Sequence, residues 1–311
     1  MSPSTRRILL VAHPTRPDVH ALAAGVAVRL EASGVEVVAD GLLAAELDGG
    51  VVVADPADPA DGCELVCVLG GDGTILRAAE LSRGSGVPLL GVNLGHVGFL
   101  AEAEAEDLDA TVDRILACDY HVEERMTMEV SVLEDGGRVF ASWALNEVSV
   151  EKAARARMIE LAVEIDGRPL STWGCDGVVM ATPTGSTAYA LSAGGPVVWP
   201  DVEAMLLVPI SAHAAFARPV VVGPSSQLAL EIVAGTDVGG VLACDGRRTF
   251  DLRPGARVQV TRSELPVRLA RLDSAPFADR LVAKFDLSTR GWRGRDRAEA
   301  DGSARDDVTT T

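Results

Sequence analysis

The chain predicts an α/β domain built on a parallel, doubly wound sheet, followed by a β-rich domain and a helix that returns to the first. Three observations carry this. Short apolar runs alternate with helical patterns up to about residue 125, which is how strands linked by crossover helices read. From Thr127 to Leu269 the texture becomes period-two alternation broken by turn dipeptides. A last helical pattern, "SAPFADRLVAKFDL", then precedes a polar end. The expected divisions are 1–125, 126–270, 271–290 and a disordered tail at 291–311.

In order, "RILLVAHP" reads as a strand, and "DVHALAAGVAVRLEASG" as a helix stopped at Gly34. "VEVVAD" is a second strand. "DGGVVVADPADPADG" is rich in Pro, Gly and Asp and reads as a mobile connector. "CELVCVLGG" is a strand, "TILRAAELSRGSG" a helix, "VPLLGVNLG" a strand and "EDLDATVDRILACDY" a helix. In the second part, "MEVSVLEDGGRVFASWALNEVSV" and "MIELAVEIDGRPLSTW" read as hairpins with DGG and DG at their tips. "LALEIVAG", "GGVLACDGRRTFDL" and "RVQVTR" continue the pattern. No fixed-period repeat is present, which excludes a solenoid.

Bulk properties narrow the partners. With 311 residues, 48% of them hydrophobic, and 31 glycines, the chain is globular and long enough for two domains. The longest apolar runs fall short of a membrane span, and "RRILLVAHP" is too short for a secretory signal, so a cytoplasmic protein is expected. The net charge of −17 speaks against nucleic acid or an anionic membrane as the main partner. A small polyanion would need local cations, backbone N–H groups or a metal. The five cysteines, Cys63, Cys67, Cys118, Cys175 and Cys244, contain no CxxC, and the five histidines form no HExxH. Reduced thiols and no protein-ligated transition metal are expected.

Three stretches carry chemistry. In "VLGGDGTILRA", Val68–Ala78, a buried strand ends at Gly70-Gly71-Asp72-Gly73-Thr74 and a helix follows. It is neither a Walker A loop nor GxGxxG. The glycines admit phosphates close to the backbone, and the helix start offers N–H donors. Asp72 there fits a base on an attacking hydroxyl, a Mg²⁺ ligand, or simply a turn residue capping the helix at Thr74. In "WALNEVSV", Asn146-Glu147 would put one polar group into the core of a regular strand, which suggests a strand end or bulge facing a cleft. An Asn–Glu pair can bracket sugar hydroxyls; the alternative is an edge strand with a solvated Glu. In "DGVVMATPTGSTAYALSAGGP", Asp176–Pro196, a strand runs into Thr182, Thr184, Gly185, Ser186 and Thr187 before a short helix. This is a phosphate or ribose site, or a set of mere caps. Tyr189 can pack on a ring. Short basic clusters lie nearby: Arg77; Lys152, Arg155 and Arg157; Arg247 and Arg248.

Taken together, Gly70–Thr74, "GVNLGHVGFL" (Gly91 to Leu100), Asn146-Glu147 and the long threonine–serine motif resemble the NAD kinases in order and spacing. "CDGRR" and "RLDSAPFADRLVAKF" resemble actinobacterial members. The likeness spans nearly all of residues 6 to 294. GGDGT alone is shared with diacylglycerol, sphingosine and phosphofructo-kinases; the other motifs are more specific. The resemblance implies transfer of the terminal phosphoryl group of ATP, or of inorganic polyphosphate, to the 2′-hydroxyl of the adenosine ribose of NAD. It implies Asp72 as the base, with Gly71, Gly73 and Thr74 around it. Asn146 and Glu147 would hold the adenosine, and Asp176, Thr184, Thr187, Ala188, Tyr189, Ala190, Leu191 and Ser192 would complete the dinucleotide site. Arg77 and Arg157 would contact phosphate. Mg²⁺ would arrive with the donor rather than on protein ligands, and the assembly would be a homodimer or homotetramer. Two positions depart from the pattern: Gly174 stands where many members carry arginine, and Ser211-Ala212-His213 where many carry Cys-Pro-His. Rival readings are a lipid kinase sharing the glycine loop, which an acidic chain without an amphipathic anchor disfavours, and a non-catalytic NAD(P) sensor.

Overall fold

The computed structural model describes residues 6–289 except 48, 95–97, 105–106, 236–237 and 273–275. The expected tail at 291–311, and the middle of the Gly91–Leu100 motif, lie outside the described residues.

The first layer is an eight-stranded sheet. Its order is Val52–Val53, Glu36–Ala39, Arg7–Ala12, Leu65–Leu69, Leu89–Asn93, Val267–Arg271 and His121–Arg125, with Ala103–Glu104 beside Leu89–Asn93. Every pairing is parallel except that of His121–Arg125. The strand Leu65–Leu69 is buried along its whole length, as a strand covered on both faces must be. Helices Pro17–Ala32 and Leu108–Leu116 pack on one face through Val26, Leu30, Val112 and Ile115. Helix Asp72–Ser82 packs on the other through Ile75, Ala78 and Ala79. The winding direction reverses between Arg7–Ala12 and Leu65–Leu69, and Gly70 lies at the carboxyl end of that pair, the place where open sheets of this type receive ligands.

The remainder is a sandwich of two six-stranded antiparallel sheets. One runs Val220–Val222, Met205–Ile210, Gly177–Ala181, Glu147–Lys152, Gly240–Cys244, Arg248–Leu252; the other runs Arg168–Cys175, Ile159–Ile165, Leu228–Ile232, Arg257–Arg262, Met128–Glu134, Gly137–Ala144. Alternate residues of both sheets, among them Val148, Val150, Met180, Leu161, Trp173 and Val260, form one core between them. The Asp166-Gly167 hairpin tip has positive φ at both residues (54° and 71°), as a two-residue hairpin turn demands.

Two expectations change. The Pro/Gly/Asp connector contains a two-residue strand, Val52–Val53, on the sheet edge. The run read as one hairpin through "WALNEVSV" is divided: Gly137–Ala144 stays with Met128–Glu134, while Glu147–Lys152 enters the opposite sheet. The chain crosses between sheets at Leu145-Asn146.

Two segments return to the first domain. Strand Val267–Arg271 joins its sheet, and helix Phe277–Phe285 sets Phe277 and Phe285 against Phe99, with ring centroids 5.9 Å apart in each pair. Four cysteines are buried, Cys118 is exposed, and all five are free thiols. Among the described residues no helix is long and apolar enough to cross a membrane.

Candidate active site

The glycine loop leaves the strand at Gly70, whose φ is +152° and where a Cβ would stand 2.4 Å from Thr74 Oγ1. Only glycine lets the chain turn that tightly onto its own helix. Gly71 is the N-cap and Asp72 the first helical residue. Thr74 is buried, and its amide donates to the Gly71 carbonyl at 2.9 Å. Asp72 does not cap its helix. Its carboxylate reaches across to the loop after Leu89–Asn93, where Oδ2 accepts from Phe99 N–H (3.2 Å) and Oδ1 from Leu100 N–H (3.1 Å). A Cβ at Gly98 would lie 2.4 Å from Oδ1, so that position must stay bare for the carboxylate to sit there. Around Gly71 and Gly73 a Cβ would meet nothing within 4 Å: this side of the loop is open.

The second group gathers on the outer face of the sandwich. Strand Glu147–Lys152 is interior to its sheet, which overturns the edge-strand alternative; Asn146 and Glu147 are each 8% exposed. Asn146 immediately precedes the strand, at the sheet crossing. Its amide and that of Leu145 donate to the Asp245 carboxylate at 2.7 Å and 3.0 Å, and its carbonyl accepts from Thr182 N–H at 2.9 Å. Burial, followed by the nearby Asp245 carboxylate, pushes Glu147 up to about 7 against the opposing pull of the Tyr189 amide. Its Oε2 is buried with no hydrogen-bond partner. A buried acceptor without a donor is costly unless a ligand supplies one.

Period two places Glu147, Ser149 and Glu151 on the same face. Tyr189 spans them: its amide faces Glu147, and its hydroxyl donates to Glu151 Oε2 at 3.2 Å. Burial and then the carboxylates of Glu151, Glu147 and Asp176 push the phenol up to about 12. Thr184–Thr187 forms a short 3₁₀ turn and Tyr189–Ser192 a single helical turn. Thr184 and Ala190 are buried, Thr187, Ala188, Tyr189 and Leu191 partly so, and Ser192 is exposed. A Cβ on Gly185 would stand 2.0 Å from the Asn146 carbonyl oxygen, so this turn lies directly on Asn146. Several hydroxyls of the motif are structural. Thr182 Oγ1 donates to the Leu145 carbonyl (2.5 Å), Ser186 Oγ exchanges bonds with the Val198 backbone (2.9 and 3.2 Å), and Thr187 Oγ1 donates to Thr184 O (3.2 Å).

The basic residues divide. Arg77 Nη2 pairs with Asp40 at 2.6 Å, at the carboxyl edge of the parallel sheet. Arg247 and Arg248, read as a possible anion site, instead bind Glu80 at 3.1 and 3.2 Å, and Arg248 also binds Asp245 at 2.7 Å. They join the two domains. Asp176 lies at the other end of the Glu147–Lys152 strand from Asn146, held by Lys152 at 2.5 Å, which keeps its carboxyl below the usual range. Arg157 is exposed on the turn after that strand. Within one chain, therefore, Asn146, Glu147, Thr184 and Tyr189 come together, while Asp176 lies at the far end of the strand from Asn146 yet close enough to Tyr189 to raise its phenol. Leu145 links this group to the Asp72 helix, packing in the same core as Ile75 and Ala78.

Sequence reading missed Asp245 and the amides of Phe99 and Leu100, and gave Arg248 to an anion where it serves Glu80 and Asp245. Asp245 looked like an ordinary Asp-Gly hairpin tip, and nothing local marks a backbone amide as a ligand.

A carboxylate among glycines at the switch point of a parallel sheet, with a buried polar group on a second domain tied to the same helix through the core around Leu145, has the chemistry of a kinase that acts on a hydroxyl. Residues 8–120 match the ATP-NAD kinase N-terminal domain and residues 145–272 the ATP-NAD kinase C-terminal domain. The chain is 61% identical over 299 residues to the NAD kinase of Leifsonia xyli, covering 94% of this chain and 98% of that one. It is 57% identical over 306 residues to the NAD kinase of Thermobifida fusca, covering 94% and 93%. Among solved structures, an NAD kinase from Archaeoglobus fulgidus in complex with ATP superposes with a TM-score of 0.69 at 27% identity, covering 91% of this chain and 100% of that one. Yeast NADH kinase complexed with NADH superposes with a TM-score of 0.84 at 24% identity, covering 93% and 90%. The chain belongs to the NAD kinase family.

Proposed function

We propose that this protein transfers the terminal phosphoryl group of ATP to the 2′-hydroxyl of the adenosine ribose of NAD, giving NADP. The observation that carries the reading is Asp72, fixed by two backbone amides where the glycine loop opens at Gly71 and Gly73. In this reading the ribose 2′-oxygen attacks the terminal phosphorus as Asp72 takes its proton, and the bond to the donor's bridging oxygen breaks. Asn146 and Glu147 hold the adenosine ribose, and the unpartnered Glu147 Oε2 is the natural acceptor for one of its hydroxyls. Thr184 and Thr187–Ser192 wall the dinucleotide, and Arg77, on the helix that follows the glycine loop, contacts phosphate. Asp176 lies at the opposite end of that strand from Asn146, and Arg157 on the exposed turn beyond it. They suit a neighbouring subunit's site in a homodimer or homotetramer, and the exposed Met158, Phe216 and Val221 offer apolar surface for such an assembly.

The family's dependence on a divalent cation is read here as Mg²⁺. Among the described residues no group of three or more His, Cys, Asp or Glu is placed to hold a metal; we read the ion as one carried on the donor's phosphates. There it supplies charge neutralisation. Free thiols at all five cysteines suit the cytoplasm.

Purified protein given NAD, Mg²⁺ and either ATP or polyphosphate tests this, with NADP read by an NADP-specific dehydrogenase. NADP formation with ATP is expected, and the rate with polyphosphate reports the donor range. Folded protein that binds NAD in calorimetry yet makes no NADP with either donor contradicts the proposal and points to a sensor.

A further inference from the structure

We infer that Glu102, Arg271 and Arg280 form a positioning clamp for Asp72, through which the C-terminal helix sets the orientation of the catalytic carboxylate; this rests on the reading of Asp72 as the base. The two amides that hold Asp72 belong to Phe99 and Leu100, and the carbonyls of the same segment are held from behind. Arg271 Nη1 donates to Leu100 O at 3.1 Å, and Arg280 Nη1 donates to Ala101 O at 2.6 Å and lies 3.5 Å from Phe99 O. The Phe99 carbonyl and the Leu100 amide are opposite ends of one peptide plane, so a guanidinium at one end orients and polarises the donor at the other. Both arginines converge on Glu102 Oε2, at 2.8 Å from Arg271 and 2.6 Å from Arg280. The Glu102 side chain is 2% exposed and that of Arg271 4%, so the three charges are fixed in one geometry. Glu102 is itself anchored to the sheet, its amide donating to Gly91 O at 2.8 Å. Arg271 is steadied further by Glu123 at 3.2 Å, which also binds Arg125.

A buried ion triad is a poor route to stability, because desolvation offsets most of the attraction. Here it serves placement. The helix bearing Arg280 has no buried residue, and a cavity of about 560 Å³ opens beside it between Trp199, Phe277 and Arg271. Its docking therefore rests on a few contacts, chiefly Arg280 with Ala101 and Glu102, and Phe277 and Phe285 with Phe99. These land on the segment that holds Asp72; Phe277 also meets Trp199 edge-on, with ring centroids 5.1 Å apart. The inference is that this helix is part of the catalytic apparatus without touching substrate.

The test is Arg280→Ala and Arg280→Lys in the full chain, with steady-state kinetics and amide hydrogen exchange over residues 98–102. A small displacement of a catalytic group can cost about 100-fold. We expect Arg280→Ala to lower kcat by about 10-fold or more with KM for NAD changed less than about 2-fold, and to speed exchange at Phe99 and Leu100. Arg280→Lys, which keeps the charge but lacks the planar fork of the guanidinium, should recover part of kcat, and it carries the same test if the alanine variant does not fold. Native kcat in both variants, or kcat and KM worsening together with exchange unchanged, overturns the clamp. Asp72→Asn run alongside separates the two readings: if that variant is active, the base assignment fails; if it is inactive while the Arg280 variants match wild type, only the clamp fails.

Discussion

The Asp245 carboxylate accepts the backbone amide of Asn146 at 2.7 Å, from a hairpin tip 99 residues away in sequence. It takes the Leu145 amide as well and is paired with Arg248, so one buried acid satisfies the backbone at the point where the chain passes between sheets. Burial raises this carboxyl above its usual range despite those donors. Asp245→Ala would leave two buried amides unpaired, each costing about 1–3 kcal/mol. A drop of several degrees in Tm with a higher KM for NAD is expected from thermal unfolding and kinetics. Unchanged values in both would mean that the sheet crossing does not depend on Asp245.

Glu147 makes stability depend on pH. Its carboxyl is pushed up to about 7 from an ordinary 4.5, so the native state holds a proton that the unfolded chain releases. The native state therefore loses stability as pH rises from about 4.5 to about 7, by up to about 3 kcal/mol, with no further loss above. Glu147→Gln removes this. In urea titrations its advantage over wild type should be larger at pH 8 than at pH 5; an advantage independent of pH would refute the buried, raised carboxyl.

Two glycines separate fold from chemistry. Gly185→Ala drives a methyl to 2.0 Å from the Asn146 carbonyl and should unfold the threonine–serine turn, with a stability loss of about 3 kcal/mol or more. Gly73→Ala meets nothing within 4 Å and removes a helix-weakening residue, so Tm should hold or rise. A fall in activity at intact Tm would then report close approach by the donor's phosphates.

Asn146→Ala should raise KM for NAD by about 10-fold, the effect of losing one hydrogen bond of about 1.4 kcal/mol. Its backbone bonds to Asp245 and Thr182 do not need the side chain. Kinetics with neither KM nor kcat altered would remove Asn146 from the nucleotide site.

Much of this was legible where the physics is local. The buried run Leu65–Leu69 followed by glycines announces a strand end at a sheet's carboxyl edge, and Asp166-Gly167 announces its turn. The polar pair Asn146-Glu147 reads as a strand end or bulge facing a cleft, or as an edge strand with a solvated Glu, because two adjacent polar residues cannot both leave a core. What stayed hidden depends on distant partners. "WALNEVSV" alternates as if it were one strand, so the sheet crossing at Leu145-Asn146 is invisible without Asp245 to hold it. Arg247 and Arg248 looked available for an anion because Glu80 lies 167 residues from the first of them. The hydroxyls of Thr182 and Ser186 looked like ligands, yet they serve Leu145 and Val198.

If Asp72 removes the proton from the ribose hydroxyl, as proposed, its loss strikes the chemical step and spares binding. The most direct measurement is a single-turnover assay of NADP formation with ATP, Mg²⁺ and saturating NAD, comparing wild type with Asp72→Asn, together with calorimetric NAD affinity for both. The rate should fall by about 10²–10⁴-fold or more while affinity is nearly unchanged. An Asp72→Asn variant that forms NADP at the wild-type rate would contradict the proposal.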